Sequence, residues 1–165
     1  YKHIIIINSC FLIGGYDTKN SSGRLVKMGY KKPVLFIPRG GKNFVPAKSV
    51  ARAAFNALKN GNNGEKYLVC GENLSFRQLK KKQKTIGNYG QKTIEVPDWI
   101  MLISGRLGDL LRNMGIKTDV STSNVRQLLV REYYSGEKAL KALKFRSENL
   151  ENAISDAIDW IEKGK

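Results

Sequence analysis

The chain has 165 residues, 41% hydrophobic and 26% charged, a composition that fits one globular domain with a core of useful size. No apolar run approaches the roughly 20 residues that cross a bilayer, and the two cysteines, Cys10 and Cys70, have no metal-ligand spacing. Those features point away from a membrane protein, a zinc module or a disulfide scaffold, and towards a reducing, cytoplasmic setting.

Net charge is +15, and the excess is uneven: residues 18–64 hold ten Lys and Arg and no Asp or Glu, while the segment from Glu137 onward has six of each sign. Such a surface attracts phosphate-bearing partners. The bases, however, are spread over strands, turns and a helix, with no aromatic-basic motif or zinc finger beside them. A solvated basic face is the stronger reading; a non-catalytic module binding nucleic acid or another polyanion is the alternative.

The first element is the run Ile4 to Ile7, β-branched throughout and without the alternation of a one-sided strand. It predicts a strand buried on both faces of a parallel sheet. A second apolar group, Phe11 to Ile13, stops at Gly14-Gly15, so residues 8–22, beyond the carboxyl end of the strand, are the first place to look for a site. A strand in mid-sheet needs neighbours on both edges, which implies that some of its partners lie outside this sequence.

Further along, Arg24 to Tyr30 predicts a short helix ended by glycine. Val34 to Ile37 and Asn43 to Val45, separated by Arg39-Gly40-Gly41-Lys42, suggest a small hairpin. Ser49 is a candidate N-cap for a helix over Val50 to Lys59. Tyr67 to Cys70 predicts a strand running parallel to the first. Ser75 caps a basic helix through Lys84, with Lys80 to Lys82 placed for the helix dipole. An extended piece over Gln91 to Val96 follows, then helices over Trp99 to Met114, Asn124 to Tyr133, Gly136 to Lys144 and Glu148 to Lys163. The first part is α/β and the rest mostly helical, and the two are not separate domains, because the early strands lack enough surface to cover themselves.

Several stretches, taken in order, resemble the C-terminal half of an extended short-chain dehydrogenase/reductase, in the NAD-dependent epimerase/dehydratase and dihydroflavonol-reductase-like group. They are Asn8 to Asp17, Gly40 to Val45, Ser49 to Ala53, Gly64 to Leu68, Gly71 to Ser75, Val96 to Trp99 and Lys138 to Phe145. The resemblance implies an α/β fold: the C-terminal part of a Rossmann-type parallel sheet with a mostly helical substrate-binding lobe over residues 1–165. The N-terminal dinucleotide-binding portion would be absent from the sequence. The implied cofactor is NAD or NADP, held at its nicotinamide end by Asn8, Ser9, Cys10, Phe11 and Leu12, with Ser22 nearby (Ser21 being the alternative). Tyr16, Met28 and Tyr30 would line the substrate pocket, although packing explains them equally well. The implied partners are a small-molecule substrate, the missing N-terminal half and, in a homodimer, a second copy; neither nucleic acid nor a membrane is expected. Ser9 and Gly15 stand where the family favours proline, and Ser49 where it often has aspartate.

The family's phosphate-binding glycine loop has no counterpart, since neither Gly61 and Gly64 nor Gly105 and Gly108 complete it. One Tyr-x-x-x-Lys match exists, Tyr134 to Lys138, but Gly136 interrupts it and the segment aligns with the family's C-terminal region. No catalytic residue is therefore assigned, and the chain alone is expected to be inactive. His3 is read as a terminal or structural residue, Cys10 first as a small buried hydrophobe, and Trp99 and Trp160 as core anchors.

Overall fold

The computed structural model describes residues 3–18 and 23–164, among which eight short strands and seven helices form a mixed α/β fold. The organising strand is β4 (Gly41–Pro46). It pairs parallel with β2 (Phe11–Ile13), antiparallel with β6 (Glu72–Ser75) and parallel with the two-residue β8 (Arg131–Glu132). Flanking it are two parallel pairs, β1 (Ile6–Ser9) with β5 (Lys66–Val69), and β3 (Val34–Ile37) with β7 (Lys92–Glu95).

Alternation along β4 builds two cores, because successive side chains leave a strand on opposite faces. Phe44, with no exposed surface, meets Phe11 and Phe76 edge-on at 5.5 and 6.3 Å. That core is completed by α3 (Phe76–Ile86) and by Leu150, Ile154 and Ile158 of α7 (Leu150–Glu162). Val45 faces the other way, onto Ala53 and Ala57 of α2 (Ala47–Asn60), Tyr67 and Val69 of β5, and Leu143 of α6 (Glu137–Leu143).

Four expectations are corrected. Val34–Ile37 and Gly41–Pro46 are not a hairpin: each finds its partners far along the chain, and three ladders on β4 leave no room for a local return. Ser49 lies inside α2, which starts after Pro46; its buried Oγ accepts from the Glu148 amide at 2.8 Å. Lys80 does not serve the carboxyl end of α3, whose last turn carries Lys84; it lies mid-helix, only 2% exposed and turned inward against α1 (Gly23–Gly29). Trp99 anchors nothing, being 64% exposed at the start of α4 (Asp98–Asn113).

The opening run is corrected in part. Its parallel partnership with β5 is present, but the ladder begins at Ile6. Ile5 and Ile7 pack into the α2 core, whereas Ile4 and Ile6 face outward, and β1 has no partner on its second edge among the described residues. Among the described residues, α2 packs on the face of β1 that carries Ile5 and Ile7.

The helical remainder follows the sequence closely. Ser75 makes a full capping box with Gln78, and Ser121 caps α5 (Thr122–Leu129), which stops four residues short of the expected Tyr133. Val130 there turns into extended backbone and leads to β8. Gly105 lets α4 touch the start of α5, where a Cβ would stand 2.9 Å from the Thr122 Cα, and Gly108 does the same for the preceding loop, at 2.1 Å from the Val120 carbonyl oxygen. No helix among the described residues is long and apolar enough to cross a membrane.

Candidate functional site

Beyond the carboxyl end of β1 the chain passes through Cys10 into β2, and the strand ends open a cleft of about 280 Å³ lined by Ser9, Cys10, Phe11, Lys42, Asn43, Glu132 and Tyr134. Parallel pairing puts it there. The Cys10 amide continues the β1 ladder by donating to Val69 O at 3.1 Å, while Phe11 opens the next ladder opposite Phe44.

The cleft floor is held by a buried amide. Asn43, 1% exposed, accepts from the Gly71 amide at 2.8 Å and donates to Asn73 Oδ1 at 2.6 Å, Gly71 O at 3.3 Å and Tyr134 O at 3.3 Å. Asn73 in turn accepts from the Tyr134 amide at 3.1 Å. This network ties the 133–136 segment, which has no regular structure, to the central sheet. A buried amide with its hydrogen bonds made is rigid, and costly to disturb. Above it Lys42 donates to Glu132, so the cleft carries a paired rather than a net charge. Lys42 has 16% of its side chain exposed.

Cys10 and Cys70 meet at the back wall, their sulfurs 3.2 Å apart. Burial, helped by the hydrogen bond to Cys70, pushes the Cys10 thiol up to about 12. It is a protonated thiol at neutral pH.

The expected cofactor residues do not all share one wall. Ser9, Cys10 and Phe11, where β1 gives way to β2, line the cleft; Asn8 is exposed on β1 and outside the lining, and Leu12 faces the α2 core. Ser22, with its alternative Ser21, lies outside the described residues. The expected substrate residues are elsewhere. Tyr16, 80% exposed with a left-handed φ of 65°, rests on Trp160 at 4.6 Å, and the Tyr30 hydroxyl donates to Glu162 at 2.7 Å. Both therefore sit on the last turns of α7. Met28 is exposed on α1, and nothing brings these three together with the 9–11 wall.

Tyr134 and Lys138 do not act as a pair. Lys138 Nζ bonds Glu65 at 2.5 Å and lies over the Tyr67 ring, while Tyr134 precedes the helix that carries Lys138. Sequence reading missed Lys42, Asn43, Asn73 and Glu132. The signal for one of them was Asn43 itself, a polar amide directly before the apolar Phe44-Val45 of β4, where a buried amide must be hydrogen-bonded.

The acid-free segment also resolves. Arg24 pairs with Asp119, Lys31 with Glu162, Lys48 with Asp156 and Arg52 with Glu148. Three of these four acids lie in the balanced tail, so much of the apparent basic face is met within the chain.

Parallel ladders, helices on both faces of β4 and a cleft at the strand ends make a mixed α/β fold of the Rossmann type. No family model matches the chain. A Synechocystis protein carrying the name dihydroflavonol 4-reductase is 23% identical over 98% of this chain and 49% of its own length. Among solved structures, that of gox2253 superposes with a TM-score of 0.77 at 24% identity, covering 97% of this chain and 49% of that one. A UDP-glucuronic acid 4-epimerase from Bacillus cereus, solved with UDP-glucuronic acid and NAD, superposes with a TM-score of 0.65 at 15% identity, over 98% of this chain and 46% of its own. The resemblance read from the sequence is borne out: the chain is similar over nearly its whole length to dihydroflavonol-reductase-like and epimerase proteins, and spans about half the length of those it matches.

Proposed function

We propose that this chain is the substrate-binding half of an NAD(P)-dependent reductase or epimerase acting on a carbonyl or hydroxyl group, with NAD or NADP as cofactor. The observation that carries the reading is the cleft where Ser9, Cys10 and Phe11 meet Lys42, Asn43 and Tyr134 beyond the end of β1, the position at which parallel α/β sheets bind ligands. The residues present fit only one end of a dinucleotide. Neutral and apolar groups at 9–11 suit the uncharged nicotinamide edge, whereas the described residues offer no glycine-rich cradle for the pyrophosphate. The cofactor would supply or accept the hydride. The work of this chain is to hold the nicotinamide edge, exclude water with Phe11, and keep the wall still through Asn43.

In this reading the dinucleotide-binding portion, with the catalytic tyrosine and lysine, comes from a second half of the same enzyme, and the helical lobe shapes the substrate site. Calorimetry tests it. Residues 1–165 should show no measurable affinity for NADPH or NADH. Joined to the upstream half of the Synechocystis relative, they should bind one of the two, and Phe11→Ala should weaken that binding. Tight binding by residues 1–165 alone would overturn the reading.

A further inference from the structure

We propose that Cys10 and Cys70 form a redox site: a reversible intramolecular disulfide made by hydrogen peroxide or a low-molecular-weight disulfide, crosslinking the back wall of the cleft. The inference goes beyond the cofactor-half reading and does not depend on it.

The backbone brings the two residues together without help from their side chains. Ser9 and Val69 are register partners at the end of the β1–β5 ladder, and Cys10 and Cys70 are the first residues past the two strands. Both positions are pinned. The Cys10 amide donates to Val69 O at 3.1 Å, and Gly71, immediately after Cys70, is held by Asn43 at 2.8 Å. Gly136 packs against Cys70 so closely that a Cβ there would lie 3.0 Å from the Cys70 nitrogen. The sulfurs, 3.2 Å apart, have little more than about 1 Å to travel to the bonded distance of roughly 2.05 Å. Neighbouring register positions on paired strands also meet the Cα spacing a disulfide requires.

Access and chemistry assign the roles. Cys10 is half-buried and lines the cleft, whereas Cys70 is 6% exposed. Cys10 is thus the sulfur an oxidant reaches and Cys70 the one that resolves. As its thiolate, Cys10 attacks a peroxide oxygen; the O–O bond breaks, giving a sulfenic acid and one water. The Cys70 sulfur then attacks the Cys10 sulfur, the S–O bond breaks, and a second water leaves. Two thiols lose two electrons and one peroxide is reduced to two waters. With glutathione disulfide the same product forms by two exchanges that release two glutathiones. Since Cys10 is a protonated thiol at neutral pH, oxidation is slow and calls for sustained exposure rather than a brief pulse.

The test is intact mass of the native chain after hours in hydrogen peroxide or glutathione disulfide, followed by denaturation and N-ethylmaleimide. Expected is a product about 2 Da lighter that takes up no maleimide, and that regains two maleimides after dithiothreitol. Cys10→Ser and Cys70→Ser should each abolish the maleimide-inert species. The bond closes a loop between residues 60 apart, so the oxidised chain should melt several degrees higher, reversibly. Two maleimide adducts persisting after oxidation, separate glutathione adducts on each cysteine, disulfide-linked dimers, or a lower melting temperature would each overturn the proposal. None of these readouts involves a dinucleotide, so failure here leaves the cofactor-half reading to its own test.

Discussion

Asn43 on β4 and Asn73 on β6 are register partners, and the amide of the first donates to the carbonyl of the second at 2.6 Å. The pair joins the sheet to the Gly71 turn on one side and to Tyr134 on the other. Replacing Asn43 with leucine would strand the Gly71 amide and remove the tether of the 133–136 segment. A loss of about 2–4 kcal/mol is expected in urea melts, with Asn73→Ala costing less because Asn73 is exposed. A change below about 1 kcal/mol for Asn43→Leu would mean that the network is not structural.

Lys80 offers a pH test. It donates to Leu25 O and, at 2.9 Å, to Gln83, with no carboxylate against it, and burial lowers its pKa from 10.5 to about 8. Between those values the unfolded chain holds a proton that the folded chain has released. Stability therefore rises with pH across that window and is lowest, on this account, below pH 8. The full effect is of order 3 kcal/mol. Because Cys10 and several surface lysines also titrate in alkali, the informative quantity is the difference between wild type and Lys80→Met. That difference should move in favour of the wild type by most of this amount from pH 7.5 to pH 10; parallel curves would refute the buried placement.

Gly71 and Gly90 form a matched contrast. An added Cβ at Gly71 would stand 2.2 Å from the Phe44 carbonyl oxygen, against backbone that cannot yield, whereas nothing lies within 4 Å of one at Gly90. Gly71→Ala should cost at least the upper end of the usual overpacking range of about 1–3 kcal/mol. Gly90→Ala should stay within about 0.5 kcal/mol. Thermal melts of the two variants side by side would decide it.

Aromatic position gives a similar contrast. Phe76 is 2% exposed and meets Phe44, while Trp99 is 64% exposed. Phe76→Ala is expected to lose about 3–5 kcal/mol and Trp99→Ala no more than about 0.5 kcal/mol. A large loss at Trp99 would place that ring in a contact the structure does not contain.

Local signals read well and pairing only in part: the parallel partnership of β1 with β5 was legible, the partners of β3 and β4 were not. The Ser75 cap and the helices that follow Pro97 were legible because a helix writes its cap and its face within a few residues. The hairpin error at Val34 and Phe44 arose because a strand records its own faces but not the identity of a partner 30 or more residues away. Lys80 read as a dipole partner along with its neighbours Lys81 and Lys82; only the docking of α1 decides which of three lysines turns inward. The cleft wall at 9–11 was visible through family resemblance, while Lys42, Asn43 and Glu132 come from elements that touch it only after folding.

The outer edge of β1 has a practical consequence. Ile6 to Ser9 presents a row of ladder donors and acceptors without a mate among the described residues, beside the outward-facing isoleucines at 4 and 6. Such an edge is a template on which another strand can grow. Preparations of the isolated chain should therefore thicken into oligomers as concentration rises, and Ile6→Lys, which sets a charge on the growing rim without touching either core, should keep them dispersed.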